Sequence, residues 1–241
     1  MKKLVFLFIF SLFLFGCEKD NKLSVSNDIT DFDGNIYHSV VIGNQEWMVE
    51  NLSTTHLNDG TDIKLISSDN EWMYSTYPSY CWPSNTVNTD NKHGLLYNYY
   101  AVKTGKLAPK GWHIPSDEEW KELEMYIGMP KQEVDQRFWR GMGMAIYLIS
   151  LDWPGVPFYH GECDQYGFSA LPAGGRNGFS GSFTMGAIWW SSTESELYFD
   201  STDPWLYGSW VREITGDDEY RIGRSVGVFQ TGLSIRCIKN K

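Results

Sequence analysis

Apolar and polar positions along this chain alternate over short stretches more often than they recur at helical spacing. Tyr37, Val40 and Ile42, then Trp47 and Val49, flank the turn pair Gly43-Asn44 and predict a hairpin just after Asp33-Gly34. Asn58-Asp59-Gly60 predicts a further turn. Residues 67–92, rich in Ser, Asn, Asp, Tyr and Pro, predict a long surface loop, and the strongly aromatic stretch 95–102 predicts burial. One helix stands out, over about 117–127. Ser116 and Glu119 have the spacing of a capping box, three acids occupy the first turn, and Trp120, Leu123 and Ile127 form an apolar stripe. Gly128 and Pro130 end it. Beyond about residue 160 the chain turns to Gly, Ser and aromatic residues. Gly174-Gly175, Asn177-Gly178 and Gly181 punctuate it, Trp189-Trp190 leads into a Ser-Ser-Thr turn, and residues 226–228 and 233–238 predict closing strands. One helix ahead of many short strands, without an internal repeat, predicts an α+β fold and not alternating βαβ units.

The first residues read as an address. Met1-Lys2-Lys3 is a basic start, residues 4–15 are apolar, and Leu14-Phe15-Gly16-Cys17 follows. This resembles a bacterial lipobox, which implies a signal peptide over 1–16 and a diacylated Cys17 as mature N-terminus. An ordinary signal peptide with a chance cysteine is the alternative. Residues 17–27 then form a polar tether, and its Glu18-Lys19-Asp20-Asn21 resembles the acidic export tether of some surface lipoproteins. The expected organisation is signal, tether and one domain over 28–241. The expected location is the bacterial outer membrane, anchored through lipid and open to the cell exterior.

Charge removes other classes. The formal net charge is −10, and losing Lys2 and Lys3 with the signal takes it to −12. That sign repels nucleic-acid phosphates and anionic lipid headgroups. At 42% hydrophobic and 16% aromatic, the chain can bury a core, which excludes wholesale disorder. Cys81, Cys163 and Cys237 remain after lipidation; in an oxidising space one disulfide and one leftover thiol are expected, with all three pairings open.

A set of ordered blocks then becomes specific: DFDGNIY at 31–37 with VIGNQEWMVENL at 41–52, GLLYNYYAV at 94–102, APKGWHIPSDEEW at 108–120, GFSALPAGGR at 167–176, WWSSTE at 189–194 and SIRCI at 234–238. Together they resemble the Fibrobacter succinogenes major paralogous domain over nearly the whole mature chain. The resemblance implies an exported or surface domain with a fold like that of C-type lectins and formylglycine-generating enzymes: short twisted antiparallel strands, one clear helix and long loops. It brings no catalytic residues. Asn88-Thr89-Asp90 stands where relatives often carry a second Cys after the one matching Cys81, and residues 139–166 fit the pattern less closely.

Several chemical motifs fail on inspection. Gly223-Arg-Ser-Val-Gly227 matches a nucleophile elbow, but no Asp, Glu or His follows it, so a glycine-bearing hairpin explains it. Asp31-x-Asp33-x-Asn35 starts like a calcium loop, yet Ile36 and Ile42 occupy the positions that need Gly and Glu. The acidic run 217–219 offers oxygen ligands for calcium, with a solvated turn as the competing reading; otherwise no cofactor or metal is expected. The five histidines lack zinc spacing, and His113 reads as a structural hydrogen-bonder. The glycine-rich 174–186 has no phosphate-loop lysine. Trp47, Trp112, Trp120, Trp189 and Trp190 read as packing, and Arg236 beside Cys237 as a buried donor. Trp82, Trp153 and Trp205 lie in polar, Pro-bearing stretches and read as a platform for stacking sugar rings, with Asp203, Arg176 and Asn177 as polar partners. The expected function is therefore a non-enzymatic surface module binding glycan or protein. The competing readings are a glycan-active enzyme using loop acids such as Glu162 and Asp203, and a structural or adhesive envelope component.

Overall fold

The structure, a computed structural model, describes residues 26–87, 92–154, 163–195, 208–214 and 219–241. It is a mixed α+β architecture of mostly antiparallel strands with few short helices. In chain order the strands and helices are β1 (Ser26–Thr30), β2 (Ile36–Ile42), β3 (Gln45–Met48), β4 (Lys64–Leu65), α1 (Asp69–Tyr74), β5 (Ser79–Cys81), β6 (Leu96–Tyr97), α2 (Tyr99–Lys103), β7 (Trp112–His113), α3 (Asp117–Tyr126), β8 (Phe138–Arg140), β9 (Gly175–Arg176), β10 (Phe183–Thr184), β11 (Ala187–Ser195), β12 (Gly208–Ile214), β13 (Ile222–Val228) and β14 (Ile238–Lys239). Two 3-10 turns, Pro83–Asn85 and Ala145–Tyr147, complete them.

The predicted hairpin forms as β2–β3, with Val40 opposite Trp47. Its apolar spacing has a purpose: Tyr37 packs into one core cluster, and Val40 and Ile42 pack into another. The five-stranded sheet β1-β2-β3-β14-β7 places the first and last described strands together. The second large sheet has the order β11-β12-β13-β8.

Helix α3 begins as expected. The Ser116 hydroxyl accepts from the Glu119 amide at 3.2 Å, and Glu119 accepts from the Ser116 amide at 2.8 Å. The helix buries more than its apolar stripe. Asp117, Lys121 and Glu124 lie one above another and are also buried, facing β12, β13 and β8. Asp117 binds Arg224 at 2.7 Å and Arg212 at 2.9 Å; Glu124 binds Arg212 and Arg140, each at 2.6 Å. The Arg224 guanidinium also lies 3.5 Å from the ring centre of Trp210. A buried ion network therefore fastens the helix to its sheet.

Four expectations need correcting. Residues 67–92 are not simply surface loop: they contain α1, which buries Trp72, and β5, buried throughout. The Ser-Ser-Thr segment after Trp190 is not a turn but the continuation of β11, with a register shift between Trp190 and Glu194 where it pairs with β12. α3 also has company in the short helices α1 and α2, each started by an Asn or Ser cap. Finally, Cys81, Cys163 and Cys237 are all free thiols. Cys81 and Cys237 lie in different core clusters, and burial pushes each thiol up to about 12, which leaves them protonated and unreactive.

Candidate functional site

Two hollows lie side by side on the loop-rich surface. Segment 92–94 and segment 171–173 contribute walls to both. The first hollow, about 390 Å³, is the more polar of the two and is lined by Glu50, Asn51, Lys92, Asp152 and Arg236 among others. The second, about 330 Å³, is largely apolar and is lined by Trp82, Pro83, Val87, Pro172 and Met185, with His93 at the shared wall. Both volumes fall within the ~300–1,000 Å³ of ordinary ligand pockets.

The polar hollow is held rigidly from beneath. Asn51 accepts from the Trp189 indole at 2.9 Å and from Arg236 at 2.9 and 3.2 Å. It donates to the His93 carbonyl at 3.0 Å, which ties the shared wall to the core. Arg236 also donates to the carbonyls of Met48 and Phe168 and lies 4.5 Å from the Phe168 ring centre. Burial pulls its guanidinium down to about 10, still well above neutral pH, with Glu50 and Asp164 opposing the shift. Above this floor the groups are looser. Lys92 and Asp152 pair at 2.9 Å with 45% and 64% of their side chains exposed. Such an exposed pair contributes only about 0–1 kcal/mol, so a ligand can replace either partner at little cost. Glu50 accepts from the His38 amide at 2.8 Å and meets its ring at 2.7 Å.

Trp82 is placed by chain geometry. It follows buried β5 and opens the 3-10 turn, where its carbonyl accepts from Asn85 at 3.0 Å. Asn85 in turn donates to the Ser67 carbonyl at 2.8 Å. One side of the indole rests on the first core cluster, and the residue stays half-buried. Around it, Val87 is 65% and Met185 88% exposed, an apolar rim at an open hollow.

The other expected site residues fall elsewhere. Trp153 is only 6% exposed and packs in the second core cluster, so its ring faces protein and not solvent. Arg176 is fully buried: it donates to the carbonyls of Ile66 and Ser67 and to Asp69, and it stacks near Trp72 at 4.6 Å. It joins two loops and has no free fork for a ligand. Asn177 caps its own turn, accepting from the amides of Phe179 and Ser180, and borders a third, separate hollow. Trp205, Asp203, Glu162, Asp217, Asp218 and Cys17 lie outside the described residues. Among the described residues of the expected glycan platform, only Trp82 stands at one of the paired hollows.

The rejected motifs have physical explanations. Asp31 accepts from the amides of Asp33 and Asn35, and Asp33 accepts from Thr54, Thr55 and His56, so these carboxylates close turns. Ser225 of the Gly-x-Ser-x-Gly match lies within β13 and donates to Glu213. His113 bridges Asn240 at 2.7 Å and Glu119 at 2.9 Å. Among the described residues no cluster of three His, Cys, Asp or Glu is arranged to hold a metal, and no helix is long and apolar enough to cross a membrane.

Glu50, Asn51, Lys92 and Asp152 line the first hollow without being among the site residues expected from the sequence. Glu50-Asn51 was legible as a polar pair set directly after Met48-Val49. Lys92 and Asp152 gave no local signal, because their pairing spans sixty positions.

The chain belongs to the Fibrobacter succinogenes major domain family, whose model matches residues 40–239. No curated protein and no solved structure matches the chain.

Proposed function

We propose that this domain is a binding module that takes a glycan across the two adjoining hollows. The observation that carries the reading is their shared wall: the Trp82 indole in an apolar hollow stands beside an exposed Lys92–Asp152 pair in a polar one. A sugar ring has an apolar C–H face that suits an indole and hydroxyls that suit Glu50, Asp152 and Lys92. On the sequence reading, lipid at Cys17 holds the module at the outer membrane, and the polar tether lets it face outward. A C-type-lectin-like fold belongs to the same proposal. What supports it is that the first and last strands share a sheet while the hollows lie in loop-rich chain.

A glycan array with the purified protein, read with calcium and again with chelator, tests the reading. Selective binding that falls by about tenfold or more in Trp82→Ala, without loss of folding, is the expected result. A blank array from folded protein would sink it and shift the function to protein partners or envelope architecture.

A second reading has one specific support. Glu50 and Asp152 line the same hollow, and glycoside hydrolysis uses two carboxylates. Mass spectrometry of the bound glycans after prolonged incubation separates the two. Intact glycans are expected, and cleavage abolished by Glu50→Gln would replace binding with catalysis.

A further inference from the structure

The sheet β11-β12-β13-β8 has α3 on one face, where Arg212 and Arg224 meet Asp117. Its other face carries a third hollow of about 230 Å³, remote in kind from the paired hollows: it holds no exposed ion pair and includes Ile188, Glu213, Ser225, Val228, Thr231 and Leu233. Ile188 is opposite Glu213 and Val211 opposite Ser225, so these side chains share that face. From these features we infer that the hollow binds a primary ammonium group carried on a small apolar body.

The decisive group is Glu213. It is half-buried, it accepts a hydrogen bond from the Ser225 hydroxyl, and among the described residues no cation pairs with it. The carboxylates of the polar hollow differ: Glu50 meets His38, and Asp152 meets Lys92. Arg176 borders this third hollow, yet its guanidinium is turned to Ile66, Ser67 and Asp69. A carboxylate drawn partly out of water without a counter-charge is unfavourable, and an incoming cation offsets that cost.

The surroundings select the kind of cation. The Trp139 indole lies over Gly223. A Cβ added there would sit 2.9 Å from that ring and 3.0 Å from the Cβ of Glu213, so indole and carboxylate stem flank one spot. Trp139 lies outside the lining of the hollow, and an aromatic ring beside the stem of the carboxylate adds to the attraction for a cation there. Ser225 spends its proton on Glu213, which leaves its oxygen lone pairs as acceptors, and Thr231 supplies a further hydroxyl. An ammonium brings three N–H donors and no acceptor, which matches this set. Ile188, Val228 and Leu233 accept an apolar body. The volume lies below the ~300–1,000 Å³ of drug-sized pockets, so the ligand is small.

Calorimetry and NMR titration of the purified protein with n-pentylammonium, and with 1-pentanol as its uncharged counterpart, test the assignment at neutral pH. The ammonium is expected to bind at least about tenfold more tightly than the alcohol. Glu213→Gln should erase that preference, and Glu213→Asp should keep part of it; melting curves verify that both variants fold. Equal binding of amine and alcohol, a preference that survives in Glu213→Gln, or no binding of the amine at all would each overturn the assignment. None of these results bears on the Trp82 hollows, so the two proposals fail separately.

Discussion

Glu124→Gln is the most informative perturbation of the fold, because it removes one charge and almost no volume. Glu124 is 1% exposed and accepts from two guanidiniums, Arg140 and Arg212, each at 2.6 Å. The neighbouring Asp117 already serves Arg212 and Arg224. The substitution therefore leaves three buried arginines facing a single carboxylate, with an amide N–H₂ pointing at one of them. Breaking a buried pair from one side costs about 3–5 kcal/mol, and this site lies toward the upper end because two pairs break together. For a domain of this size each kcal/mol lowers Tm by about 2–4 °C, so a loss of about 4 kcal/mol corresponds to roughly 8–16 °C. Urea and thermal unfolding measure it. Glu118→Gln is the control on the same helix: Glu118 binds Lys121 at 2.5 Å but is 82% exposed, so about 0–1 kcal/mol is expected. Arg140→Met in the Glu124→Gln background should restore part of the loss by removing an uncompensated cation. A loss under about 1 kcal/mol for Glu124→Gln, or a further loss on adding Arg140→Met, would refute the reasoning. The same network has a pH signature. Burial raises the Asp117 carboxyl, but Arg224 and Arg212 outweigh it and hold the group below the usual range. Its contribution is present above the unfolded value of about 3.9 and is lost as pH falls through the lower folded value.

Trp153→Ala should destabilise the protein by about 3–5 kcal/mol in chemical unfolding, whereas Trp82→Ala should change stability much less while weakening ligand binding; the reverse order would contradict their placement. His56 is held between Asp33 and Asp62, and the bond to Asp33 above all raises it above the ordinary imidazole value. Its NMR titration should therefore lie above about 6.5. Its stabilisation should be full below that value and disappear as pH rises through the folded value, a slope absent in His56→Gln. Gly94 has φ +73°, and a Cβ there would lie 2.7 Å from Asn51 Cβ and 2.8 Å from the Leu52 carbonyl, so Gly94→Ala should lower Tm sharply and disturb both hollows. Gly105→Ala, with φ +66° and open space around it, should cost only about 1–2 kcal/mol in the same assay.

Much of the local architecture was legible in the residues themselves. The Ser116–Glu119 box, the Gly43-Asn44 hairpin turn and the stop at Gly128 each depend on partners within a few positions, and the structure has all three. The ordered aromatic and glycine blocks sufficed to place the chain in its family. Arg236 and His113 were also readable as internal hydrogen-bonders, since each sits in a block of strand and cap residues. What the one-dimensional pattern misplaced was burial. Trp82 and Trp153 have the same kind of polar, proline-bearing neighbours, yet one opens onto a hollow and the other fills a core. Asp117 and Glu124 on the polar side of α3 are buried because arginines 16 to 107 positions away meet them, which no local pattern shows. Propensity, capping and turn chemistry act over about four residues, so the sequence alone determined the cap and stop of α3 and the turn of the β2–β3 hairpin. Which aromatics stay wet, which charges are paired and which walls enclose a hollow depend on segments that meet only after the chain has collapsed, and only the tertiary structure decided those.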